Sequence, residues 1–247
     1  MRSLVLRTVD ALNVEYFRKF ERVLDLGQML RVRAATPLLG SDSFDRVLDV
    51  GAGGGYLTAL LCQRSRRLTS LDLELGPLRN GARFLNRVNR SNVDLIAGDA
   101  VKLPCRDAVA DLVTCTDVIE HIEEDRKAVG ELARVLKPGA ILLLTTTSDE
   151  FVIDTSEYRS FGHVRTGYRT SDLVAMLRAN GLVVEDVIYF KKCGLSRWLL
   201  WVSRRCPVLG PLLRTVLVPI SYPILLIGER LSKKGYNVCV RARRTAS

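Results

Sequence analysis

Acid and glycine meet in the stretch of this chain most able to do chemistry, Val47-Leu48-Asp49-Val50-Gly51-Ala52-Gly53-Gly54-Gly55. An apolar run carrying one acid breaks into a turn with glycines at 51, 53 and 55, a density that lets backbone N–H groups approach a ligand closely. A second acid, Asp72, ends the run Leu68-Thr69-Ser70-Leu71-Asp72-Leu73 about 20 residues further on. A carboxylate at that point can accept hydrogen bonds from both hydroxyls of a ribose. Groups able to move a proton near neutral pH are few. The chain has two histidines, His121 and His163. His163 sits in Ser160-Phe161-Gly162-His163-Val164-Arg165-Thr166-Gly167-Tyr168-Arg169, a glycine-flanked loop suited to covering a bound acceptor. That makes His163 the first candidate for a general base, with Tyr168 behind it, unless the imidazole only braces the loop. His121 follows Glu120, is expected to open a helix, and is a further catalytic candidate.

The elements that must carry these residues alternate. Apolar runs at Val47-Leu48, Leu68 to Leu73, Val93 to Ala97, Asp111 to Thr116 and Ile141 to Thr146 read as strands of a buried parallel sheet. Helical stretches separate them, among them one near Asp125 to Leu136 and another at Thr170 to Ala179, with a Lys137-Pro138-Gly139 turn between helix and strand. The pattern is that of a doubly wound α/β domain. A dinucleotide fingerprint is excluded by spacing. Counting G-x-G-x-x-G from Gly51 lands on Tyr56, and from Gly53 on Thr58.

The spacing D-x-G-x-G-x-G at Asp49 to Gly55 resembles motif I of the class I S-adenosylmethionine (SAM)-dependent methyltransferases. Further pieces follow in that family's order: Gly98-Asp99-Ala100 with Leu103-Pro104, Glu120-His121-Ile122, and Leu136-Lys137-Pro138-Gly139. The ordered set resembles the type 11 group, over roughly residues 44 to 190. The resemblance implies a Rossmann-like, mostly parallel seven-stranded sheet with helices on both faces. Leu182 to Phe190 and Tyr236 to Ala242 would be its last strands, paired antiparallel. It implies that Asp49, Gly51, Gly53 and Gly55 hold the methionine end of SAM and that Asp72 binds the ribose with Leu73 against the adenine. Asp99 would receive the adenine amino group beside Ala100, unless it only caps a turn. Thr116 and Asp117 would line the cofactor side of the cleft.

Outside that core lie an N-terminal helical cap (1–43), an insert (191–235), and a last strand with tail (236–247). In the cap, Tyr16, Phe17, Phe20, Val23, Leu24 and Leu26 to Leu30 recur at near-helical spacing, as a helix packing on the core or roofing the cleft would. Charge separates the regions. The chain carries 37 Lys+Arg against 27 Asp+Glu, a net +10, and residues 191–247 hold twelve of those bases and the single acid Glu229. The insert is also apolar from Trp198 to Leu231, with prolines at 207, 211, 219 and 223. A spanning helix is disfavoured because Pro219 and Pro223 would break it and Arg214 is costly in hydrocarbon. A broken hairpin lying on an anionic membrane surface fits residues 194–234 better, with Trp198, Trp201 and Tyr222 at headgroup depth. The alternative is a lid or dimer contact. Nucleic acid is not expected, since so much uninterrupted Leu, Val and Ile suits no phosphate-tracking surface.

Six cysteines (62, 105, 115, 193, 206, 239) form no C-x-x-C pair, so no zinc or other metal site is expected and reduced thiols are the default. The N-terminus has no long apolar stretch, so a cytoplasmic enzyme is expected, peripheral on the inner face of the membrane. Methyl transfer to a small or lipid-linked acceptor is the first reading. A soluble metabolite or sugar is the second, and a non-catalytic SAM-binding adaptor the third.

Overall fold

A computed structural model of the chain describes residues 26–87, 92–149, 162–190 and 235–246. Those residues run α1 (Leu26–Leu39), β1 (Phe44–Val50), α2 (Tyr56–Leu61), β2 (Ser65–Asp72), α3 (Leu75–Arg87), β3 (Val93–Ala97) and β4 (Ala110–Thr116). A 3-10 turn (Ile119–His121) leads to α4 (Asp125–Val135), β5 (Leu136–Thr147), α5 (Thr170–Ala179), β6 (Leu182–Phe190) and β7 (Asn237–Arg244).

The strands form one seven-stranded sheet in the order β3-β2-β1-β4-β5-β7-β6. β1 to β5 are parallel to their neighbours, and β7 runs antiparallel to both β5 and β6. Consecutive strand residues face opposite layers, and both layers are buried. Val47, Leu112, Ile141 and Leu143 pack with α1 and α2, whereas Leu48, Val113, Leu142 and Leu144 pack with α4 and α5. That two-sided burial is why the central strands read as unbroken apolar runs. The chain leaves β1 for one side of the sheet and β4 for the other, which opens a crevice at their carboxyl ends.

Three local expectations change. Lys137-Pro138-Gly139 is no connection between helix and strand: β5 begins at Leu136, and the three residues form an irregularity inside it. Ala110 pairs with Leu136 and Leu112 with Ile141, so β5 spends extra residues where Pro138 offers no N–H to the ladder. His121 closes a 3-10 turn instead of opening a helix, because α4 starts only at Asp125. The cap helix is also less one-sided than expected. Leu30, Val32, Ala34, Ala35, Leu38 and Leu39 are all buried, so α1 is part of the core.

Residues 1–25 of the cap and 191–234 of the insert lie outside the described residues. The insert's roots are nevertheless fixed. Phe190 pairs with Asn237, and Asn237 pairs in turn with Thr147 at the end of β5. Ser148 N–H donates to the Tyr236 carbonyl at 2.9 Å. The chain therefore leaves and rejoins the sheet at one point, on the rim formed by the carboxyl end of β5. Among the described residues, no helix is long and apolar enough to cross a membrane.

Candidate cofactor and acceptor site

The floor of the crevice is built on a buried acid. Asp49, 1% exposed, accepts from Thr58 Oγ1 of α2 at 2.6 Å and from Thr114 Oγ1 of β4 at 2.7 Å. Both carboxylate oxygens are thus engaged below the turn, which makes Asp49 a support for the glycines. Desolvation lifts its pKa to about 6 in spite of the two hydroxyls, and the charge of Asp72 adds to the lift.

Above it, the turn is held against β2. Gly51 N–H donates to the Leu71 carbonyl at 2.7 Å, and Gly53 N–H to Asp72 Oδ2 at 2.8 Å. Gly51 and Gly53 both adopt positive φ, 69° and 53°. They need glycine for different reasons. A Cβ on Gly51 would lie 2.1 Å from Val118 Cγ2, whereas a Cβ on Gly53 would meet nothing within 4 Å. The first glycine lets the turn pack on the loop after β4, and the second faces open space. Gly55 is the N-cap of α2.

Asp72 also accepts from Glu74 N–H at 3.0 Å, so each oxygen holds one backbone donor and keeps lone-pair capacity for a ligand. Leu73 beside it is 71% exposed, an apolar surface open to a ligand. Asp99 is exposed and accepts from Val101 N–H at 3.0 Å, so it does cap its turn while its outer face stays open. Ala100 is buried beneath it.

The opposite wall comes from the loop after β4. Thr116 is 8% exposed, and Asp117 follows it with φ 52°, a left-handed conformation that Asp tolerates better than most residues. Its carboxylate accepts from Thr145 Oγ1 at 2.6 Å and forms an ion pair with Arg31 of α1. Neither Arg31 nor Thr145 was visible as a site residue in the sequence. Glu120 is wholly buried, and burial together with the Asp117 charge holds its carboxyl well above the usual carboxylate range.

The two histidines, 42 positions apart in sequence, come together. Their rings meet edge to face with centroids 4.5 Å apart. Tyr168 is turned to other partners. Its ring is 8% exposed, its oxygen lies 2.8 Å from Asp125 Oδ2 and 3.2 Å from the Ile119 carbonyl, and it accepts from Arg165 Nη1 at 2.7 Å. Burial pushes this phenol up to about 12, so it stays protonated and braces the loop.

An open α/β sheet with a glycine turn, a strand-end acid and an exposed apolar neighbour at its topological switch point defines a nucleotide-cofactor protein. Residues 48–144 match the family model described as a methyltransferase domain. Demethylmenaquinone methyltransferase of Renibacterium salmoninarum is 35% identical over 147 residues, covering 59% of this chain and 56% of that protein. Methyltransferase YcgJ of Bacillus subtilis is 31% identical over 182 residues, 71% of this chain and 70% of YcgJ. An S-adenosylmethionine-dependent methyltransferase from Mesorhizobium loti shares the fold, with a TM-score of 0.61 at 17% identity, covering 89% of this chain and 99% of its own. The chain belongs to the SAM-dependent methyltransferases. It spans little more than half the length of the Renibacterium relative.

Two outcomes follow from the floor of the site. Gly51→Ala should cost about 2–4 kcal/mol in urea unfolding, from the Val118 overlap plus the left-handed backbone. Adding Val118→Ala should recover the overlap part and leave the backbone part, whereas no recovery would show that the overlap is not the cause. Asp49 gives the second. Its folded pKa of about 6 lies above the ordinary 3.8, so the native state holds a proton that the unfolded chain releases, and stability is lost as pH rises through that interval. Measured against Asp49→Asn, wild-type stability should fall by about 2.4 kcal/mol between pH 4 and pH 7.5. A difference that does not move with pH would mean the acid is ionised throughout.

Proposed function

We propose that this enzyme methylates a hydroxyl or similarly protonated group on a small, amphiphilic acceptor of the quinone-precursor kind, working at an anionic membrane surface. The observation that carries the reading is where the greasy, basic insert is rooted. It departs and returns beside the carboxyl end of β5, on the rim where the histidine pair sits. An apolar segment at that rim can deliver a lipid-linked acceptor to the cleft, and its lysines and arginines suit anionic headgroups at ~1 kcal/mol each. Its common root also argues against a single membrane crossing, which would strand β7 on the far side. The Renibacterium relative is named for a menaquinone precursor.

In this reading Asp72 binds the ribose hydroxyls of SAM, Leu73 packs on the adenine, and Asp99 takes the adenine amino group with Ala100 under the ring. Gly51, Gly53 and Gly55 shape the shelf for the methionine end, Asp49 holds that shelf from below, and Thr116 and Asp117 close the cofactor side. The sulfonium is already an activated leaving group. The acceptor oxygen attacks the methyl carbon, the carbon–sulfur bond breaks, and the electron pair returns to a neutral thioether. Most of the protein's contribution is alignment, worth several kcal/mol. The acceptor's proton goes to His163, with His121 orienting it.

Purified protein incubated with methyl-labelled SAM and a total extract of source cells should put label into the organic phase. Label confined to the aqueous phase would make the insert a lid or interface, and no turnover with any fraction would favour an adaptor. His163→Gln should lower kcat by about 10²-fold or more while leaving SAM affinity within twofold. Asp72→Ala should do the reverse, weakening SAM by about 10–100-fold through the lost charged hydrogen bonds. Flotation with anionic vesicles should depend on residues 194–234; flotation that survives their removal would sink the surface reading.

A further inference from the structure

Glu120 has no task in that scheme, and its surroundings ask for one. Its Oε2 accepts from Thr146 Oγ1 at 2.9 Å. Its Oε1 is equally buried and meets no donor among the described residues. A buried carboxylate oxygen left unsatisfied is costly enough that such atoms in native proteins normally signal a missing partner. A cation would fill that place, and the Asp117 carboxylate nearby favours one.

The two imidazoles lie beside that carboxyl group. One ligand atom from each of Glu120, His121 and His163 falls within 4.8 Å of the other two. His121 Nδ1 is 3.2 Å from the Gly162 carbonyl, which can only accept, so Nδ1 carries the hydrogen and Nε2 the lone pair. Imidazoles that bind metals are oriented in this way, by donating the second ring N–H to a backbone carbonyl. Thr146 plays the corresponding part for Glu120.

We propose that Glu120, His121 and His163 form a site for a divalent transition-metal cation of the zinc, iron or manganese class at the acceptor end of the cleft. Two nitrogens and one oxygen suit such ions better than Mg²⁺ or Ca²⁺, which prefer oxygen throughout. Ligands ~2.1 Å from an ion at tetrahedral or octahedral angles are about 3.0–3.4 Å apart, so side-chain adjustment closes the set. Three protein ligands leave positions open for the acceptor. The expectation of no metal came from cysteine spacing, which is silent about a Glu and two His drawn from separate loops. The role of the ion rests on the methyl-transfer reading: an acceptor hydroxyl bound to it loses its proton more readily, and the loaded protein then uses His163 as a ligand in place of a free base. The existence of the site does not depend on that reading.

The test uses the full, tag-free chain, stripped with a chelator and titrated with Co²⁺ by absorption and with Zn²⁺ by calorimetry. One equivalent should bind, with a cobalt spectrum typical of nitrogen and oxygen ligands. The chain has only two histidines, so imidazole ligation can come from no others. His121→Gln, at an exposed position, and Glu120→Gln should each weaken binding at least tenfold, with SAM affinity reporting that each variant is folded. No uptake by the wild type would overturn the proposal. So would uptake indifferent to both substitutions, or a sulfur-to-metal charge-transfer band placing the ion on cysteines. Loss of SAM binding by the wild type would instead count against the methyltransferase reading and leave the metal result standing.

Discussion

The Asp49 carboxylate joins elements that the chain keeps far apart. It receives Thr58 from α2 and Thr114 from β4, and Ser70 of β2 reaches Thr58 at 3.2 Å. Strands β1, β2 and β4 and the helix after the glycine turn are thereby fixed at one depth. Only a group with two acceptor oxygens can take both hydroxyls, which is why an acid occupies a position where burial lifts its pKa to about 6. The turn rests on this junction. With its height set, Gly53 N–H meets Asp72 at 2.8 Å and Gly51 packs on Val118. A cofactor shelf held by strand ends is preorganised in a way that a free loop is not.

The acids at the strand ends also set the field of the crevice. Asp49, Asp72, Asp99 and Asp117 end or follow β1, β2, β3 and β4, and Glu120 lies three residues beyond Asp117. A ring of acids of this kind favours a ligand that carries positive charge.

Much of this was legible in the sequence because buried parallel strands advertise themselves. The limits of β3, β6 and α5 follow from apolar runs bounded by breakers, and the pairing of the last two strands was implied by resemblance. What the sequence leaves unseen is the partners: Thr58 and Thr114 on the two oxygens of Asp49, and Asp125 and Arg165 around the Tyr168 hydroxyl. A sequence gives the chemistry of a side chain but not which way its polar atoms are spent. The same holds for Lys137-Pro138-Gly139, where turn-forming residues serve an irregularity inside a strand.

Arg31 shows how the cap reaches the crevice. It extends from α1, a helix otherwise sunk in the core, to pair with Asp117 on the loop after β4. Asp117 is held there in a left-handed conformation with Thr145 on its other oxygen. An exposed ion pair would contribute little, but this one is mostly withdrawn from water, with both side chains 14% exposed. Its guanidinium offsets the repulsion between Asp117 and Glu120, two acids that would otherwise disfavour the charged cleft.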